Sequence, residues 1–207
     1  MKNILRYIIA IIFIASGFVK AIDVKGFSFK LEEYFSPDVF NLLFFEKYTL
    51  EIALFVVALE LILGLMLLMK VKLKTTLSAL IALCIFFAFL TFYSAYFNKV
   101  TDCGCFGDAL KFTPWQSFFK DLILLMGLIL LWFLYRNHFQ LLQPKNPSKY
   151  VALSLFSIIM GFVIAHGILH EPLIDFRDYK IGTDLNAEKS KLEKDPKEKA
   201  KLEQALT

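Results

Sequence analysis

Residues 50–69 read LEIALFVVALELILGLMLLM, a run in which Glu51 and Glu60 are the charged positions. A helix rises about 1.5 Å per residue, so roughly 20 apolar residues are needed to cross a hydrocarbon core about 30 Å thick. This run supplies them. With no water inside a bilayer to satisfy backbone groups, such a segment has to be helical. Three further runs, 4–22, 77–97 and 150–170, meet the same test. A fifth, 122–135, is short on its own, but Trp115, Phe118 and Phe119 extend it backwards, while Trp132 and Tyr135 suit an interfacial end. The expected architecture is an all-α integral membrane protein with spans at about 4–22, 50–69, 77–97, 115–135 and 150–170.

Composition points the same way. Apolar residues make up 57% of the 207 positions and the mean hydropathy is +0.59, against about 45–50% apolar in soluble domains. The 16% aromatic share, mostly Phe, can fill a bundle interior. The formal charge of +4 is small, and its lysines flank hydrophobic segments, which speaks for topology and against a nucleic-acid partner. Residues 1–183 read as one transmembrane domain. From 184 to 207 Glu and Lys interleave in a charged tail, helical or disordered, in which Pro196 would break a continuous helix.

Lys2 and Arg6 precede the first span and could open a signal peptide, with small residues at Ala15, Ser16 and Gly17, but the apolar run continues to Val19 and favours an uncleaved helix. Lys2, Arg6, Lys70, Lys72, Lys74, Arg136, Lys145 and Lys149 all fall on one side of a five-span chain, which the positive-inside rule makes cytoplasmic. Segments 23–49 and 98–120 and everything after His170 then face outward, into a periplasm if the membrane is a bacterial inner membrane. There Glu32, Glu33, Asp38, Asp102, Asp108 and Asp175 balance the lysines.

The outward segment between the third and fourth spans contains TDCGCFGD at 101–108. Cys103 and Cys105 are one residue apart, in a compartment where thiols can be held oxidised. So short a ring strains a disulfide, and strain makes the bond easier to reduce, which favours exchange over a static staple. Gly104 and Gly107 permit the tight backbone required. The bland alternative is a loop clip or two idle thiols. Cys84, in mid-span, reads as a small buried hydrophobe.

His166 and His170 share a face at the outward end of the last span. His170 is the better candidate to tune a cysteine, with Asp108 nearby in sequence. Cys103, Cys105, His166 and His170 also have the ligand count of a zinc or copper site, and an idle interfacial histidine pair is equally in keeping with the sequence. Glu60 lies within the second span, where a carboxyl must face the bundle and be protonated or partnered, giving it either a proton-handling role or a helix-to-helix contact aided by Gly64. Arg6 and Lys20 are expected to snorkel from the ends of the first helix.

These residues resemble the DoxX-like membrane proteins, in particular the branch that includes MauE of methylamine utilisation. The first-span end SGFVKAID (16–23) and the stretch GFSFKLEEYF (26–35) resemble the Bacteroidetes members, the Glu60 and Gly64 stretch resembles the family's second helix, and the Cys-Gly-Cys-Phe-Gly-Asp core is the most specific match. PLIDFRDYKIG (172–182) is also similar, so the resemblance covers roughly 1–182. It implies a four-helix bundle with a fifth span, and a role in forming disulfides in a periplasmic dehydrogenase. Three functions are then in view. One is thiol-disulfide exchange by Cys103 and Cys105 with a periplasmic redox or substrate protein, tuned by His170 and Asp108; as an enzyme this would be an oxidoreductase passing electrons to a quinone. The second is a non-enzymatic assembly factor or scaffold. The third is a metal or small-molecule transporter using Glu60, the cysteines and the histidines.

Overall fold

The structure is a computed structural model that describes residues 2–37, 39–97, 113–138 and 147–169. The described residues are helical, with no strand among them: α1 (Lys2–Ile22), α2 (Val24–Phe35), α3 (Leu43–Glu46), α4 (Thr49–Met69), α5 (Leu73–Phe97), α6 (Pro114–Tyr135) and α7 (Pro147–Leu169), with a single 3-10 turn at Arg136–His138. Five of them, α1, α4, α5, α6 and α7, are long and apolar enough to cross a membrane. The chain is an all-α, multi-pass membrane protein.

Four of the long helices close a ring in which α1 packs on α4, α4 on α5, α5 on α6 and α6 back on α1, while α7 lies outside it against α1, α4 and α2. The ring interior is lined by Ile9, Ala10, Phe13, Leu63, Leu67, Leu77, Leu80, Leu124, Leu128 and Leu131. Each of α4 to α7 is hydrophobic nearly all round, as expected where one side meets protein and the other meets lipid. The start of α6 is set by its sequence: Thr113 and Gln116 form a reciprocal capping box and Pro114 occupies the first helical position.

The segment 23–49, between the first two expected spans, contains helices α2 and α3. Asp23 ends α1 and caps α2, its carboxylate accepting from the Gly26 N–H at 2.9 Å. Val24, Phe27, Leu31, Tyr34 and Phe35 then recur at helical spacing on one buried face. That face joins Ala53, Val56, Val57 and Leu61 of α4 and Leu83 and Phe87 of α5 in a second apolar cluster. α2 therefore covers the ring at the end from which α1 emerges.

Candidate functional site

Lys20 and Glu60 meet inside the bundle. Lys20 Nζ lies 2.8 Å from Glu60 Oε2, with the two residues 1% and 2% exposed. Small residues beside each one bring the helices together. A Cβ at Gly17 would lie 2.9 Å from Leu61 Cγ, and one at Gly64 would lie 2.9 Å from Ile14 Cγ1 and 3.3 Å from the Ile14 backbone nitrogen. Only glycine lets α1 and α4 approach this closely. The ammonium also donates to Ser16 Oγ at 2.8 Å, and it faces the Phe87 and Phe27 rings at 5.1 and 5.6 Å from their centroids. It is thus solvated by a carboxylate, a hydroxyl and two π faces, as a charge withdrawn from water must be.

A second polar group comes from the opposite half of the ring. Asp121, in α6, is 4% exposed, and its Oδ1 lies 2.9 Å from Nζ of its neighbour Lys120, whose side chain is about a quarter exposed. Across the α5–α6 interface, the Thr91 hydroxyl lies 3.4 Å from Asp121 Oδ2, 2.9 Å from the Phe87 carbonyl and 3.2 Å from the Ala88 carbonyl, so its single proton has three acceptors within reach. Cys84 Sγ donates to the Asp121 carbonyl oxygen at 3.3 Å. Cys84 is buried, as its sequence position suggests, and its thiol also ties α5 to α6.

The two groups share a cavity of about 20 Å³ whose walls include Ser16, Lys20, Glu60, Cys84, Lys120 and Asp121, with Ile12, Phe13, Phe87 and Leu124 between them. A water needs roughly 10–15 Å³ of such space, so the cavity admits a water molecule and excludes an organic substrate. Two cations and two carboxylates line it, so it is electrically balanced while being densely ionisable.

Neither Arg6 nor Lys20 snorkels. Arg6 is 1% exposed, and its guanidinium donates to the carbonyl oxygens of Leu67, at 2.6 Å, and of Leu68. These carbonyls belong to the last turn of α4, where a cation is favoured by the helix dipole; the Leu67 carbonyl also accepts from the Lys70 N–H at the C-cap, at 3.3 Å. Lys20 is held by Glu60. In both cases a neighbouring helix supplies the acceptor that the expectation of snorkelling sought in the headgroup region.

Of the residues singled out in the sequence, Glu60 lies at the centre of this cluster and His166 lies half-buried in the last turn of α7. Cys103, Cys105, Asp108 and His170 lie outside the described residues, as does the tail 184–207. Among the described residues no three His, Cys, Asp or Glu side chains come close enough to hold a metal ion. Lys20 and Asp121 are the site residues that sequence reasoning missed. The signal existed for Asp121: it is an acidic residue in a 22-residue apolar helix, the same argument that marked Glu60.

The family described as methylamine utilisation protein MauE matches residues 1–134. The chain belongs to the MauE family. The matched stretch runs from α1 through nearly all of α6, so the closed ring, Lys20, Glu60, Cys84 and Asp121, and the Cys103–Cys105 segment all fall within the MauE region, whereas α7 falls beyond it. No curated protein and no solved structure matches the chain.

Proposed function

We propose that this MauE-family protein is a thiol-disulfide exchange protein of the bacterial inner membrane, with its N-terminus cytoplasmic and its Cys-Gly-Cys segment facing the periplasm. What carries the reading is a coincidence of position: the segment bearing Cys103 and Cys105 joins α5 to α6, the two helices that bring Cys84, Thr91, Lys120 and Asp121 to the buried ion cluster. The orientation rests on Lys2, Arg6, Lys70, Lys72, Lys74 and Arg136, which sit at or beside the start of α1, the turn between α4 and α5 and the end of α6, one end of the ring.

In this mechanism a thiolate of a periplasmic partner attacks the Cys103–Cys105 disulfide and forms a mixed disulfide, freeing one cysteine as a thiolate; the partner's second thiol then attacks the partner sulfur of that bond and displaces the other cysteine. The partner leaves with a disulfide, and Cys103 and Cys105 are left as thiols. Reoxidation removes two electrons and two protons, which a quinone dissolved in the bilayer accepts to become a quinol. His170 and Asp108 tune the thiols, and Glu60 belongs to proton handling. The partner is a periplasmic protein with disulfides to form, in the setting of methylamine utilisation that the family's description supplies.

The test is a thiol-trapping titration of membranes against a graded glutathione series, in a Cys84→Ala background. A pair that titrates well above the roughly −300 mV below which structural disulfides sit supports exchange. A pair that stays reduced in an oxidising compartment, or that resists reduction throughout, overturns it in favour of a loop clip and an assembly role.

A further inference from the structure

Three carbonyls in the last turn of α4 are held by cations from two other helices. Arg6 of α1 donates to Leu67 and Leu68, and Lys149 of α7 donates to Met69 at 3.0 Å. The next residue, Lys70, is half-buried among the same charges. Burial and the Arg6 charge, joined by Lys149 and Lys2, disfavour its ammonium, with Tyr7 opposing them. The backbone adds to the cost, because Lys70 at φ 57° and Lys72 at φ 39° stand in the left-handed region where a turn ordinarily takes glycine. No carboxylate relieves the crowding. The sequence has no Asp or Glu in 1–22, 61–101 or 122–170, the stretches that supply these cations, and among the described residues no carboxylate pairs with Lys2, Arg6, Lys70 or Lys149. The buried Nε of Arg6 has no hydrogen-bond partner among the described residues either. The cluster therefore holds more positive charge and more donors than its own acceptors satisfy.

We propose that this cluster is a headgroup site for one anionic phospholipid of the leaflet at that end of the bundle, with the Lys70 and Lys149 ammonium groups taking the phosphate and the buried Arg6 guanidinium adding charge without touching it. An ammonium has three donors, so Lys149 can keep the Met69 carbonyl and still bind a phosphate oxygen. The helix dipole offsets only about half a charge, which leaves an anion as the complement of four cations. What selects a lipid over a soluble phosphate is the surface that follows each cation. On α1, Arg6 is followed by the exposed Tyr7, whose ring centroid is 4.1 Å from the guanidinium carbon, and then by the exposed Ile8 and Ile11. On α7, Lys149 is followed by the exposed Tyr150, Val151 and Leu155. The order on both helices, cation then tyrosine then apolar surface, is that of a phospholipid from phosphate through the interfacial region to the acyl chains, and tyrosine is enriched at the middle depth. Basic pockets between transmembrane helices hold anionic headgroups by this complementarity. The inference is independent of thiol exchange, since no cysteine takes part in it.

The experiment is native mass spectrometry of the full chain in a neutral detergent, titrated with phosphatidylglycerol, with phosphatidylcholine as the zwitterionic comparison and glycerol phosphate as the soluble phosphate. The expected result is one phosphatidylglycerol bound in preference to phosphatidylcholine and not displaced by glycerol phosphate. The preference should fall about fivefold in Lys70→Gln and about fivefold in Lys149→Gln, the factor for one basic residue at a membrane surface. It should be unchanged in Arg136→Gln, which removes an exposed cation at the same end. Lys70→Gln relieves the crowding of charge, so a melting curve in the same detergent should show a fold at least as stable as the parent, and its loss of binding is then read on folded protein. An absent preference for phosphatidylglycerol, or one undiminished in Lys70→Gln, overturns the proposal. An equal loss in Arg136→Gln overturns it in favour of a diffuse basic surface, and displacement by glycerol phosphate at equal concentration overturns it in favour of a soluble phosphate ligand.

Discussion

Arg6 and Lys20 lie on the same helix, are equally buried, and have opposite surroundings. Arg6 meets the backbone carbonyls of Leu67 and Leu68, acceptors with no charge to change. Lys20 meets the Glu60 carboxylate beside a cavity lined by further ionisable groups. The first arrangement is a cap on α4, in which a guanidinium donates to carbonyls at a helix end where the dipole also favours a cation. The second joins two buried side chains of opposite sign, so removing either one leaves the other uncompensated. One end of α1 is tied to backbone carbonyls and the other to a charged side chain.

The largest expected effect follows from breaking the second arrangement. Lys20→Met leaves Glu60 buried without its cation, and removing one partner of a buried pair costs about 3–5 kcal/mol. Reversible denaturation in bicelles should register a loss of that order. The double variant Lys20→Met/Glu60→Leu should recover most of it, because replacing both charges by apolar groups is often neutral. If the double variant is as unstable as the single one, the pair contributes packing between α1 and α4 and not an electrostatic constraint, and the contrast with Arg6 loses its basis.

Arg6→Met comes next. It removes two charge-assisted hydrogen bonds to the end of α4, and hydrogen bonds to charged groups contribute about 1.5–3 kcal/mol. No single neutral partner replaces the guanidinium, so a second substitution should give no rescue comparable to that at Glu60. Arg6→Lys should recover part of the loss, since an ammonium keeps the charge at the helix C-terminus without the planar fork that reaches two carbonyls. A full recovery by a neutral substitution at any α4 position would erase the distinction between cap and ion pair.

These two residues also mark how far the sequence could be read. The five spans were legible because length and apolarity suffice for membrane crossing, and the ring of four with α7 outside it agrees with the expected bundle plus a fifth helix. Glu60 was legible as a bundle-facing carboxyl because any ionisable group in a span needs a partner. Its partner was not, because Lys20 stands at the edge of an apolar run where long basic side chains ordinarily reach for water. What redirected it was the close approach at Gly17 and Gly64, a property of two helices together. α2 went unread in the sequence, although Asp23 as a cap and Val24, Phe27 and Leu31 at helical spacing carried the amphipathic pattern.

The smallest effect sharpens the picture of the Arg6 end. Lys70 caps α4 in a left-handed conformation, φ 57°, and is half-buried. Burial first, then the Arg6 charge, opposed by Tyr7 and joined by smaller pushes from Lys149 and Lys2, holds its ammonium below the ordinary pKa of 10.5. Because the folded pKa is the lower one, the unfolded chain binds more protons between the two values, and stability rises with pH across that window. The cost is therefore fully present at neutral pH and is relieved as the pH climbs towards 10.5. Lys70→Gln should raise stability slightly at neutral pH and flatten the alkaline limb of the stability curve, and in an Arg6→Met background that gain should shrink. An undiminished gain would mean that burial alone depresses Lys70. The crowding of positive charge would then cost nothing, and Arg6 would act on α4 only through the two carbonyls it caps.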